Sequence, residues 1–248
     1  MKTTHKHHLK DNELAMALTQ AQGWFGENQR TLLVTIGAIV LVGGGVAAYA
    51  TWKSNVDNKA RTMLAEAMVI EEARVMPPAP PAGTTNDPAN PGGQLPGTYP
   101  TEKAKLEAAL PKFLAAADAY PSSDSGLMAR YHAATVLVSL GRFDEAGKHY
   151  DQVIASGSGV VARTARLGKA EAQLRAGQYD PAIATFKELA EQKDGPLPPD
   201  AMLFELARAY KLAGKADDQK KALTQIVEQH AESQFATEAR AELAKIKG

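Results

Sequence analysis

Hydrophobic and polar positions divide the chain into unlike stretches. From Thr31 to Trp52 run 22 residues without a charged side chain. As a helix rising 1.5 Å per residue they span about 33 Å, enough for a hydrocarbon core of ~30 Å. Trp24 and Phe25 precede the run and Tyr49 and Trp52 close it, which suits rings seated at two membrane interfaces. No polar face interrupts it, unlike the core helix of a soluble domain. Beyond it, Asn55 to Met76 continues a helical pattern, with Met63, Ala67, Ile70 and Arg74 at three- to four-residue spacing. Pro77–Pro100 then holds eight prolines and four glycines in 24 residues, which predicts an exposed extended loop without helix or sheet ladders. From Thr101 onward an Ala- and Leu-rich helical pattern returns without strand signals. The expected fold class is all-α. Its expected parts are a leader at 1–30, a transmembrane helix at 31–52, a juxtamembrane helix at 53–76, the Pro/Gly-rich disordered loop at 77–100 and a helical domain at 101–248.

A cleaved signal peptide is the rival reading of the apolar run, since Ala48-Tyr49-Ala50 offers a small-x-small site. A 30-residue leader containing Asp11, Glu13 and Glu27, and an apolar run longer than a usual signal core, favour a retained anchor. Lys2, Lys6, Lys10 and Arg30 precede the run, and Lys53, Lys59 and Arg61 follow it. With a short leader and a long C-terminal region, this arrangement predicts the N-terminus inside and the C-terminal domain outside. Gly44 and Ala48 form a small-xxx-small pair on the anchor, a pattern that admits close helix approach and so a homo-oligomer.

The C-terminal domain repeats itself. Leu140-Gly141-Arg142-Phe143-Asp144, Ala176-Gly177-Gln178-Tyr179-Asp180 and Ala213-Gly214-Lys215-Ala216-Asp217 align, with glycines 36 and 37 residues apart. Each glycine follows one apolar-periodic helix and precedes another, where it ends the first and makes the tight turn. A fixed period of paired helices predicts a stacked array, an α-solenoid.

In these residues the chain resembles the tetratricopeptide repeat (TPR) family. Ala134 and Ala146, Ala170 and Ala182, and Ala207 stand where two helices of a unit touch, followed by the fillers Tyr150, Phe186 and Leu223, with Tyr210 in the third unit's first helix. The third unit places Gln219 where a small residue belongs, so its second helix is expected to shift or pack loosely. The segment ending in Ala119-Tyr120-Pro121-Ser122-Ser123 looks like the close of another second helix, whose first helix would be the juxtamembrane segment. Ser233–Ile246 reads as a closing amphipathic helix with Phe235, Ala239, Leu243 and Ile246 inward.

The whole layout is a leader with Trp24-Phe25-Gly26-Glu27-Asn28, one membrane helix and then repeats. It resembles the ancillary subunit of the bacterial Sec translocon, whose repeat domain is related to the cell-division coordinator of the Tol-Pal system. That resemblance implies a single-pass protein of the bacterial inner membrane. Its leader would be cytoplasmic and its repeats periplasmic, with protein partners such as the Sec translocon and periplasmic chaperones. The alternatives are a cell-division or outer-membrane assembly scaffold and a self-associating structural protein.

Composition narrows the chemistry. The chain has no cysteine, which excludes disulfides, thiolate metal sites and lipid-anchored cysteine. Lys plus Arg balance Asp plus Glu at 28 each over the chain, leaving no basic excess for nucleic acid. His5, His7 and His8 lie among lysines, a setting unsuited to a metal, while His132, His149 and His230 fall on separate helices. With no phosphate cradle and no nucleophile motif, the sequence predicts neither an enzyme nor a cofactor. What remains is surface. In the TPR family the first helix of each pair lines the groove. By that resemblance Met128, Tyr131 and Thr135, then Thr164, Leu167 and Glu171, then Phe204, Arg208 and Lys211 form the partner-binding groove. Leu167 and Phe204 read equally well as core.

Overall fold

The computed structural model describes residues 29–78, 95–192 and 197–246, together with Met16. The leader with Trp24, Phe25 and the three N-terminal histidines, residues 79–94 of the proline-rich stretch, and the connector 193–196 lie outside the described residues. The chain divides into two units, between Asn55 and Val56.

Helix α1, Gln29–Glu71, is a single run of 43 residues. No glycine or proline stop separates the apolar run from the charged pattern after it, so the helix continues through Trp52 and Lys53. In the first unit it is long and apolar enough to cross a membrane and none of its apolar window is buried. Leu41 and Val42 are 78% and 68% exposed, a distribution that water would penalise and lipid would not. Tyr49 and Trp52 stand together, ring centroids 6.0 Å apart.

The second unit begins with the end of α1. Ala67 is fully buried, and Met63, Leu64, Met68 and Ile70 pack against the core cluster that continues with Leu106, Leu110 and Phe113. The helix ends at Glu71, short of Met76. Residues Arg74–Val75 (β1) instead pair in parallel with Thr98–Tyr99 (β2), and Met76 N–H donates to the Tyr99 carbonyl at 2.9 Å. This corrects the expectation that 77–100 makes no ladder. Thr98 and Tyr99 are β-formers that, unlike the prolines before them, carry backbone N–H groups, and their partner lies 24 residues away, outside any local pattern.

Eight further helices follow among the described residues: α2 Glu102–Ala119, α3 Asp124–Ser139, α4 Phe143–Ser156, α5 Gly159–Arg175, α6 Tyr179–Glu191, α7 Pro199–Leu212, α8 Ala216–Gln229 and α9 Gln234–Ile246. Their starts have local causes. Thr101 and Ser123 cap α2 and α3 by accepting from Ala104 N–H at 3.1 Å and Gly126 N–H at 3.0 Å. Pro199 occupies the first turn of α7, where a missing N–H costs nothing.

The stops are the repeat itself. Gly141, Gly177 and Gly214 have φ of 75°, 76° and 71°, a left-handed conformation that glycine adopts without a steric penalty. Around each, the next residue donates back across the turn: Arg142 to the Leu137 carbonyl (2.8 Å), Gln178 to Gln173 (2.8 Å) and Lys215 to Tyr210 (2.9 Å). These are three copies of one Schellman stop. Neighbouring turns also touch. Gln178 Nε2 donates to Asp144 Oδ1 at 3.5 Å, and Lys215 Nζ reaches Asp180 Oδ1 at 2.6 Å, so the same two repeat positions meet along one edge.

Ala134, Ala146, Ala170 and Ala182 are fully buried, Ala207 is nearly so, and Tyr150, Phe186, Leu223 and Tyr210 fill the core around them. Gln219 is itself buried, and its neighbours Ala222, Leu223 and Ile226 remain in the core. Helix α8 is therefore not loosened by the glutamine. At the end of the array α9 buries Ala236 and Ala239 and packs Phe235, Leu243 and Ile246 on the same core, as its pattern predicts.

A candidate partner-binding face on the first helices

Helices α3, α5 and α7 are the first helices of successive pairs and carry the expected groove residues, and α9 closes the array beside α7 and α8. On α3, Met128 is exposed and Tyr131 half-buried. The Tyr131 ring meets Tyr150 of α4 edge-on, centroids 5.7 Å apart. Tyr150 OH lies 3.2 Å from Thr135 Oγ1. Burial pushes the Tyr150 hydroxyl up to about 12, with the Thr135 contact opposing and the Tyr131 and Glu171 charges adding. Tyr131 is raised as well, by burial and then by the Glu171 charge. Beneath Tyr150 lies Gly168 of α5, where a Cβ would come within 2.7 Å of the ring. The ring and the bare helix backbone close this junction together.

On α5 the three expected residues separate. Thr164 turns its hydroxyl to its own helix, donating to the Val160 carbonyl at 2.9 Å. Leu167 is 9% exposed and belongs to the core with Ala170 and Leu174, so it corrects the groove assignment: its side chain points between the helices. Glu171 stays half-buried on the open side. Burial raises its carboxyl above the ordinary value, Glu205 raises it further, and Arg175 and Arg208 pull the other way.

On α7, Phe204 stacks on Phe235 of α9 with centroids 5.2 Å apart. Arg208 Nη1 donates to Glu205 at 3.1 Å. Lys211 Nζ reaches Glu242 of α9 at 2.6 Å, and Lys245 reaches the same carboxylate at 2.6 Å. These two lysines hold Glu242 at about 2, well below its usual range. Between α7 and α9, over the floor made by Gln219 and Leu223 of α8, lies a cleft of about 330 Å³ walled by Phe204, Leu212 and Arg208. Leu212, on its rim, is 48% exposed. The repeat positions thus converge in two places: Tyr131, Thr135 and Glu171 at one junction, and Phe204, Arg208 and Lys211 around the cleft. Gly44 and Ala48 lie on α1 in the other unit, exposed, with nothing within 4 Å of a Cβ built on Gly44.

The face also involves residues that pattern alone does not single out as surface. Glu205 and Glu242 neutralise its cations, and their role depends on helices brought alongside from 31 residues away in the case of Lys211 and Glu242. Behind the face, Arg130 is buried and bonds the Ala117 carbonyl (3.1 Å), Asp118 (2.8 Å) and Gln152 (2.6 Å), tying α2, α3 and α4. His132 stacks on Phe113 and contacts Glu71 at 3.1 Å. Among the described residues no three His, Asp or Glu side chains gather where a metal could sit.

Sequence profiles described as tetratricopeptide repeat match residues 131–201 and 200–233. Residues 131–233 are tetratricopeptide repeats. Among solved structures, the nearly identical TPR-like repeats assigned to a kinesin light chain of Podosopora anserina are similar at 18% identity and a TM-score of 0.48. They cover 57% of this chain and 77% of theirs. A single-residue variant of that same protein matches with the same figures. No protein of curated function matches the chain in sequence. The TPR turns are the three glycine stops, and the TPR contact alanines are the buried ones named above. A TPR array of this kind is a protein–protein interaction module.

Proposed function

We propose that this protein is a membrane-anchored adaptor, held by α1 and binding a segment of a partner protein on the first-helix face of its TPR array. The cleft between α7 and α9 carries the reading. It is open to solvent, floored by Leu223, walled by Phe204 and Leu212, and rimmed by Arg208, Lys211, Glu238 and Glu242. An apolar anchor side chain surrounded by a charged rim is the usual anatomy of a peptide-binding hot spot. The 22-residue uncharged run and its closing Tyr49 and Trp52 support insertion of α1 in the membrane. A tether of this kind raises the effective concentration of the face around membrane clients.

By resemblance of layout, the protein sits in the bacterial inner membrane with its repeats in the periplasm. Its partners are then the Sec translocon and periplasmic chaperones, and a division or outer-membrane assembly complex is the competing client. Crosslinking followed by affinity capture from detergent-solubilised membranes should recover translocon subunits with the wild-type chain. Leu212→Glu places a charge on the cleft rim without touching the core, and should remove that capture while the helical circular dichroism stays unchanged. Undiminished capture by Leu212→Glu rules out the cleft. Recovery of division proteins changes the client, and recovery of the chain alone favours self-association through Gly44 and Ala48. A topology reporter fused after Gly248 should report from the periplasm; a cytoplasmic signal overturns the localisation.

A further inference from the structure

The three repeat units differ at one contact position. Five residues after each turn glycine stand Ala146, Ala182 and Gln219. The two alanines are fully buried, and Gln219 is buried almost as completely, at 5% exposure. Its main-chain N–H donates to the Lys215 carbonyl, but its carboxamide has no hydrogen-bond partner among the described residues. That carboxamide is not sealed in, since the buried side-chain atoms without a partner are on His149, Arg163 and Gln173. Gln219 lines the floor of the cleft between α7 and α9. A glutamine at a helix contact is costly unless its amide is met.

We propose that Gln219 sets the specificity of this cleft by pairing with an Asn or Gln side chain of an extended partner segment, two residues from the apolar side chain seated against Phe204 and Leu223. The inference rests on the reading that the cleft binds a partner segment, and it adds which residue that segment must carry. The floor has two ends. Helices α7 and α8 meet at the Gly214 turn, so Leu212 and Gln219 lie nearer the turn, and Phe204 and Leu223 farther from it. Gln219 and Leu223 are one helical turn apart, about 6 Å along the floor. Side chains two residues apart in an extended segment share a face at about 7 Å, which matches that spacing. A main chain lowered to the floor would bring several N–H and C=O groups between apolar walls, with one carboxamide to meet them. A single side chain brings one polar tip. The floor is neutral, and burying a charge on it costs more than burying an amide. Only another carboxamide returns both the donor and the acceptor that Gln219 offers.

A random decapeptide library selected against the full chain in detergent micelles tests this. Peptides chosen by the wild-type chain should carry Asn or Gln two positions from an apolar anchor. Gln219→Leu, which keeps the size but removes the amide, should select the same anchor with an apolar residue in place of the Asn or Gln. It should bind the best wild-type peptide about tenfold more weakly, the scale of one lost buried hydrogen bond. Replacing the peptide's own Asn or Gln by Leu should weaken binding to the wild-type chain by a similar factor and strengthen binding to Gln219→Leu. That exchange of preference is a readout that a merely structural glutamine would not move. Gln219→Ala, which carries the residue of the other two units, should also lose the preference and serves if the leucine does not fold; circular dichroism and melting temperature check both. Selected peptides with an anchor but no Asn or Gln position, or an unchanged preference in the variants, overturn the role of Gln219 and leave the cleft standing. Failure of the wild-type chain to select any peptide, or equal binding of the peptides to Leu212→Glu, overturns the cleft and the inference with it.

Discussion

The first and last junctions of the repeat array use the same positions and end differently. Nine residues after each turn glycine stands a filler: Tyr150, Phe186 and Leu223. At the first junction Tyr150 extends over the bare backbone of Gly168, reaches Thr135 and closes the space between α3 and α5. At the last, Leu223 stops short and Gln219 stands beside it, and the space between α7 and α9 remains a cleft of about 330 Å³. One unit uses its filler to close the packing and another leaves the space open. The turns and register are the same in both units, and the difference lies in side chains, not in a different fold.

Opening the closed junction should show the largest effect. Tyr150→Ala removes a buried ring and its hydroxyl contact, and should cost about 3–5 kcal/mol in urea unfolding. A loss under about 1 kcal/mol would mean that the ring is not a core element and that the contrast between junctions is false. Closing it too tightly comes next. Gly168→Ala would ordinarily gain helix propensity, but its Cβ meets the Tyr150 ring at 2.7 Å. A net loss of about 1–3 kcal/mol is expected, and the double change Gly168→Ala with Tyr150→Leu should recover part of it. A stabilised Gly168→Ala single variant would remove the steric reason for the glycine.

The smallest effect concerns charge. Glu171 has its folded carboxyl raised above the ordinary 4.5 by burial, and then by Glu205. A raised acid contributes its full stability below the unfolded value and loses it as pH rises through the folded one. Glu171→Gln should therefore melt slightly higher than wild type at neutral pH, and the gap should close as pH falls below 4.5. A gap that widens on acidification would show that Glu171 is stabilised in its charged form, contrary to its half-buried, unpaired setting.

Much of the fold is legible from local chemistry. The glycine turns, the contact alanines, the closing helix and the long apolar helix all follow from spacing, because each is decided within one or two turns of chain. What could not be read depends on distant partners. The pairing of Arg74–Val75 with Thr98–Tyr99 joins segments across a proline-rich stretch. The burial of Arg130 depends on acceptors from α2 and α4. Leu167 belongs to the core although it shares its repeat position with half-buried Tyr131 and Phe204, because its aliphatic side chain joins Ala170 and Leu174 in the cluster. Face position in the repeat is periodic; burial at that position is not.

The identical turns have an evolutionary consequence. The stop, the tight bend and the contact with the preceding turn all come from one short segment, Gly141 to Asp144 and its copies. Excising residues 142–177 would join Gly141 directly to Gln178, and Asp180 would fall where Asp144 had been, still within reach of the incoming lysine. The chain can be lengthened or shortened by whole units without a new joint having to be invented, so the reach of the array is open to change by duplication or deletion alone.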